Sequence, residues 1–204
     1  MSEYSKYVTI NQRDPKQAIR AGVLPMQRNY DSAHGSLPYF QTIVSSEKFG
    51  NAHHASYSMS HVPGRWLNAL LNAQDVLDVE VDESCIEALR AWTYRSYEGE
   101  SLGFPAMLDL QTYQPIRCID LHNMRESMHA LFALVAYRQD EHAFELAKTL
   151  IDSVNRYFDP QTCAFRYDAF HADTGAEELD YVPSSSTRRG MEIDPNLPQQ
   201  EAQE

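Results

Sequence analysis

Positive charge is scarce in this chain: 17 Lys and Arg stand against 29 Asp and Glu, a formal net charge of −12 over 204 residues. Phosphate backbones are held by clustered Lys and Arg, so this balance argues against nucleic acid or an anionic membrane as the main partner. Long apolar runs are missing too. The longest, Ala130 to Tyr137, falls far short of the roughly 20 residues that cross a bilayer. The first ten residues lack the apolar stretch of a signal peptide, so the chain reads as soluble and cytoplasmic. Cysteine is limited to Cys85, Cys118 and Cys163, odd in number and widely spaced, which argues against a disulfide scaffold. No CxxC, Cys–His pair, P-loop, GxGxxG or GxSxG occurs, so zinc-knuckle, nucleotide, dinucleotide and α/β-hydrolase chemistry lack their usual signatures.

What the chain does have is helical periodicity with polar residues in unusual places. The spacing predicts a helix from Leu121 to Arg138, with Asp120 as its N-cap. At about 100° per residue, His122, Arg125, Glu126 and His129 share one arc, opposite Leu121, Met124, Met128, Leu131, Phe132 and Val135. That polar arc continues as Ala133, Ala136 and Tyr137 rather than as Lys and Glu, the pattern of a helix buried on most sides with a polar mouth at its start.

Three further helices are expected. One runs from Pro63 to Leu77 with Leu67, Leu70, Leu71 and Leu77 inward, and one from the cap Asp82 to about Ser96 with Ile86, Leu89 and Trp92 inward. A fourth follows Gln139-Asp140, with Phe144, Ala147, Leu150, Ile151, Val154 and Phe158 as its apolar stripe. Residues 97–119 carry Gly99, Gly103, Pro105 and Pro115 and read as a long loop or short β excursion. Residues 1–60 read as an irregular arm wrapping the body, with turn signals at Asp14-Pro15 and Leu24-Pro25 and a strand near Phe40–Val44. Cys163–Asp168 is expected as a strand of a short hairpin. The body thus spans 61–170, and 171–204 form an acidic tail with eight acids and two arginines.

The predicted helices alternate between one with a polar mouth, His61-Val-Pro-Gly-Arg65 or Asp120-Leu-His-Asn-Met-Arg125, and an outer amphipathic one; Arg65 and Leu121 lie 56 residues apart. This alternation resembles the (α/α) toroid carbohydrate-active enzymes. The stretch from Leu121 through His129 to the Tyr137-Arg-Gln-Asp140 turn is similar to relatives of the β-L-arabinofuranosidase and unsaturated glucuronyl hydrolase families. The resemblance covers about residues 60–170 and implies a mainly α fold of αα-hairpins. It also implies a carbohydrate ligand in a cleft lined by inner-helix ends. A full toroid needs six or seven hairpins where this chain offers two, which implies a partial toroid. A homo-oligomer or a partner chain would then complete it.

Glycoside cleavage uses two carboxyl groups roughly 5–10 Å apart, and Asp120 and Glu126 are the best placed, with His122 as a further acid or base. Asp120 also reads as an N-cap and Glu126 as a partner of Arg125 or of a neighbouring helix. For sugar binding the candidates are His61, Arg65, Arg125, His129 and Trp66, with the arginines suited to a uronate carboxylate. Arg65 and Arg125 can equally pair with Asp75, Glu126 or helix-end carbonyls, and Trp66 can belong to the core. The helical face of His122, Glu126 and His129 admits a metal, but no HExxH motif supports one, so no metal or other cofactor is assigned. His53-His54 and His34 become more than spacer residues if they face a cleft. The competing reading of the whole chain is a non-catalytic helical interaction module whose apolar inner faces a partner covers.

Overall fold

The computed structural model describes residues 14–43, 51–98, 102–116, 119 and 121–174. Within them lie six α-helices and four two-stranded antiparallel pairs. The helices are α1 (Pro15–Met26), α2 (His61–Leu77), α3 (Glu83–Arg95), α4 (Leu121–Arg138), α5 (Glu141–Tyr157) and α6 (Tyr167–Thr174). The pairs are β1 (Tyr30–Asp31) with β2 (Leu37–Pro38), β3 (Gln41–Ile43) with β4 (Asn51–His53), β5 (Met107–Leu108) with β6 (Pro115–Ile116), and β7 (Phe158–Asp159) with β8 (Ala164–Phe165).

Helix boundaries follow the capping chemistry. Asp82 accepts the Ser84 N–H at 2.9 Å to start α3, and Asp140 accepts the Ala143 N–H at 3.0 Å to start α5. Asp78 and Gln139 take left-handed φ values of 50° and 53° and end α2 and α4. The two mouth-bearing helices, α2 and α4, pack most closely of all, with α3 against both and α5 against α4. Leu67, Leu70, Leu71, Ile86, Leu89, Leu131 and Leu134 fill the main core between them.

A second apolar cluster joins Phe104, Leu150, Tyr157 and Phe170, and a third joins Leu37, Met59, Trp92 and Leu108. Gly103, at φ +85°, lets its loop lie against α5, where a Cβ would come within 2.7 Å of the Thr149 methyl group.

The irregular N-terminal arm requires correction, because it holds the twelve-residue α1. Asp14 caps that helix through the Lys16 N–H at 2.9 Å and Pro15 occupies its first position, so the dipeptide that reads as a turn is a helix start. Only Val23 of α1 is buried, and its apolar stripe is short, Ile19, Val23 and Met26. Asp120, the expected cap of α4, and Cys118 lie outside the described residues, as do residues 1–13 and 175–204.

Two apolar stripes are turned relative to expectation. On α5 the buried residues are Ala143, Leu150, Ser153 and Tyr157, while Phe144, Ile151 and Phe158 are exposed. The rotation follows from polar anchors: Ser153 Oγ donates to the Leu102 carbonyl at 2.5 Å and the Tyr157 hydroxyl donates to Asp173 at 3.0 Å. On α4, Asn123, Glu126, Ser127 and Ala130 face inward, Met124 and Met128 are half-buried, and Phe132 is exposed. The hairpin near residue 163 is present, but its second strand stops at Phe165 and Tyr167 opens α6.

Candidate functional site

The mouth is built where the first turns of α2 and α4 touch. A turn closed by His61 N–H to Tyr57 O at 2.9 Å delivers Ser60, His61 and Arg65 to this place. Gly64 makes the approach possible. A Cβ there would stand 1.8 Å from the Glu126 carbonyl oxygen, so only hydrogen fits between the two backbones.

At the crossing, the Glu126 carboxylate is buried and clasped from two helices. Arg65 donates from Nε to Oε2 at 3.0 Å and from Nη2 to Oε1 at 3.2 Å. Arg125 donates from Nε to Oε1 at 3.1 Å and closes a second contact to the same oxygen through Nη2. The Arg65 and Arg125 side chains remain 57% and 60% exposed, so both reach solvent while holding the buried carboxylate. Burial pushes the Glu126 carboxyl up, but the hydrogen bonds from Arg65 and Arg125 and the His61 field outweigh it and hold the group near 2. It is therefore ionised at neutral pH and is no proton donor.

His61 is buried and its ring lies 5.1 Å from that of His122 and 5.4 Å from Phe40. Burial lowers its pKa to about 4 against the pull of Glu126, with Arg65, His122 and Arg125 lowering it further, so the ring is neutral at pH 7. His122 Nε2 stands 3.8 Å from Glu126 Oε1. Among the described residues, Nδ1 of His61, Oγ of Ser60 and both amide atoms of the fully buried Asn123 have no hydrogen-bond partner. Buried polar atoms left this way are costly and call for a ligand or water.

Of the expected site residues, His61, Arg65, His122, Arg125 and Glu126 converge, and Asp120 lies outside the described residues. Of the partners expected for Arg65, Glu126 is the one it pairs with. His129 is exposed on α4 and makes no ion pair with Glu126, so the expected face of His122, Glu126 and His129 is replaced by His61, His122 and Glu126, whose donor atoms lie within 4.8 Å of one another. Trp66 is half-buried and packs on the main core, edge-on to Tyr30 with centroids 6.2 Å apart. Ser60 and Asn123 were not legible as site residues, because Ser before a helix and Asn within one are ordinary in composition.

A second polar cluster forms where the arm meets the β5–β6 loop. Asp31 Oδ2 lies 2.7 Å from His34 Nδ1 and 3.0 Å from His54 Nε2. Tyr113 stacks on His34 at 3.8 Å and Tyr39 stacks on His54 at 4.6 Å between centroids. No family model, no curated protein and no solved structure matches the chain.

Proposed function

We propose that the chain is a glycoside hydrolase-like protein that binds an anionic carbohydrate, with the carboxylate of a uronate-type sugar held at the α2–α4 mouth. The observation that carries this reading is the pair of solvent-exposed arginine side chains anchored on one buried carboxylate. Two arginines against one ionised glutamate leave the mouth one positive charge in a chain of net −12. Each arginine spends its inner N–H groups on Glu126 and keeps donors for a second, planar carboxylate. Neutral His61, with Ser60 and Asn123 behind it, offers uncharged donors and acceptors of the kind that sugar hydroxyls use. The alternation of inner and outer helices supports the (α/α) toroid reading. Glu126 then acts as the organiser of the two arginines, and the proton donor falls to another group such as Asp120 or His122.

A titration of thermal stability with glucuronate and glucuronate-containing oligosaccharides, beside neutral glucose and arabinose oligosaccharides, tests the proposal. Stabilisation by the uronates, lost in the double variant Arg65→Gln/Arg125→Gln, is expected. Equal response to neutral sugars, or none to either, overturns it.

A second reading, an interaction module covered by another copy or a partner chain, is favoured by a separate observation. Val76, Phe132, Phe144 and Ile151 are all at least half exposed, and an apolar groove lined by Ile19, Val23, Ala73 and Val76 runs between α1 and α2.

A further inference from the structure

The Asp31–His34–His54 cluster stands apart from the mouth and is not used by the function proposed above. Three separate stretches build it. Asp31 ends β1 and caps a single 3-10 turn, Ser32–His34, whose last residue is His34. Side chains three apart eclipse in a 3-10 turn, which sets the His34 imidazole against the Asp31 carboxylate. The chain then reverses through Gly35 and Ser36, both left-handed at φ 62° and 57°, into β2. His54 arrives from the end of β4, which the β3–β4 register places beside Gln41.

The geometry points to a site for a divalent first-row transition metal, ligated by Asp31 Oδ2, His34 Nδ1 and His54 Nε2, with at least one position open to solvent. All three donor atoms lie within 4.8 Å of one another. Ligands at the corners of a tetrahedron with arms of about 2.1 Å stand about 3.4 Å apart. The 2.7 and 3.0 Å separations therefore widen by about half an ångström when an ion enters. Two imidazoles and one carboxylate are a donor set that suits Zn²⁺ and Fe²⁺, each of which keeps a water in the remaining position.

Four features make the cluster a built site rather than a chance meeting of side chains. His54 is 8% and Asp31 15% exposed, while His34 is 39% exposed, so two of the ligands are shielded and the third borders solvent. Asp31 Oδ1 is engaged by the Ala33 N–H at 3.0 Å, which aims Oδ2 at the two rings. Tyr113 lies nearly parallel to His34, at 8°, and Tyr39 to His54, at 19°, so both imidazole planes are fixed. Tyr113 takes a left-handed backbone, φ 55°, to reach its place; such strain persists where the surroundings determine it.

Electrostatics separate this cluster from His61, His122 and Glu126, which also brings two imidazoles and a carboxylate together. There Arg65 and Arg125 bond to the carboxylate and repel a cation. Among the described residues, Asp31 pairs only with the two histidines, and no Lys or Arg contacts it. Each imidazole binds the ion as a neutral ring, carrying its remaining proton on the other nitrogen, Nε2 of His34 and Nδ1 of His54.

Full-length protein stripped with a chelator and refilled with Zn²⁺ or Co²⁺ tests the site. One metal ion per chain after desalting is expected, with the visible d–d bands of bound Co²⁺ and a rise in melting temperature. His34→Ala and His54→Ala are each expected to weaken binding by on the order of 100-fold or more, and His122→Ala at the mouth to leave it unchanged. His34 is the most exposed ligand, so His34→Ala keeps the fold and decides the question if His54→Ala does not fold. Failure of the wild-type chain to retain a metal ion overturns the site, as does wild-type affinity in His34→Ala or loss of binding in His122→Ala.

Discussion

His61 and Glu126 both titrate below their ordinary ranges, and they destabilise the fold in acid over different windows. His61 falls from 6.5 to about 4 on folding because burial penalises its charged form. Between those values the unfolded chain takes up a proton that the folded chain refuses, so stability drops as pH falls from about 6.5 to 4, by on the order of 3 kcal/mol. Glu126 falls from 4.5 to about 2, and its contribution, complete above the unfolded value, is lost as pH falls from about 4.5 to 2. Urea denaturation at stepped pH therefore shows two successive losses in the wild type. His61→Gln is expected to flatten the upper loss and Glu126→Gln the lower one; an unchanged upper window in His61→Gln would remove His61 as its cause. The residue types at the mouth were legible in the sequence, but not the division of labour. Glu126 reads as a catalytic candidate until the two arginines that neutralise it come from separate helices, 60 residues apart and side by side.

The α2–α4 crossing depends on Gly64 more than on any apolar side chain. With a Cβ only 1.8 Å from the Glu126 carbonyl oxygen, Gly64→Ala must push the two helix backbones apart. The loss is expected to exceed about 3 kcal/mol in chemical denaturation, above the usual cost of an overpacked core. Gly22, with open space around it, serves as the control, and Gly22→Ala is expected to be neutral or slightly stabilising. Equal effects at the two positions would show that the crossing has slack. At this scale α2, α3, α4 and α5 were legible almost to the residue, since caps such as Asp82 and Asp140 stand next to strong periodicity. The face of α5 was less so. Phe144 and Ile151 outrank Ser153 and Tyr157 in apolarity, yet the latter pair is inside, because partners on the 102–104 loop and α6 satisfy their hydroxyls. Single-helix periodicity holds no information about such partners.

At the scale of the whole molecule, the described residues leave apolar surface in two places, the α1–α2 groove and the α4–α5 hairpin. Val76 at 65% exposure lies beside the α1–α2 groove, and Phe132, Phe144 and Ile151 lie on the α4–α5 hairpin. Surface of this kind is covered in assemblies. Sedimentation at rising concentration is expected to show association, reduced by Phe144→Asp or by Val76→Asp, whichever face is used; a monomer at all concentrations removes the second functional reading. The mainly helical character of the chain was legible, whereas the dependence of its helices on the preceding segment was not, nor was α6, which carries helix past residue 170 to Thr174. Val23, Leu37 and Met59 each complete a core cluster, through contacts too distant in sequence for any local pattern to announce.

The Trp92 indole gives that dependence an optical signature. Its Nε1–H donates to the Gly35 carbonyl at 2.9 Å, within the reversal that follows His34, and the Arg95 guanidinium lies 4.9 Å from the ring centroid. The chain has two tryptophans, and the other, Trp66, sits on the main core. A Trp66→Phe variant thus carries one tryptophan, excited selectively at the red edge of the protein absorption band, whose polar edge is tied to the arm. Detachment of the β1–β2 hairpin is expected to shift its emission to longer wavelength at denaturant concentrations where circular dichroism still reports intact helices. A single coincident transition would mean instead that arm and helical layer melt as one unit.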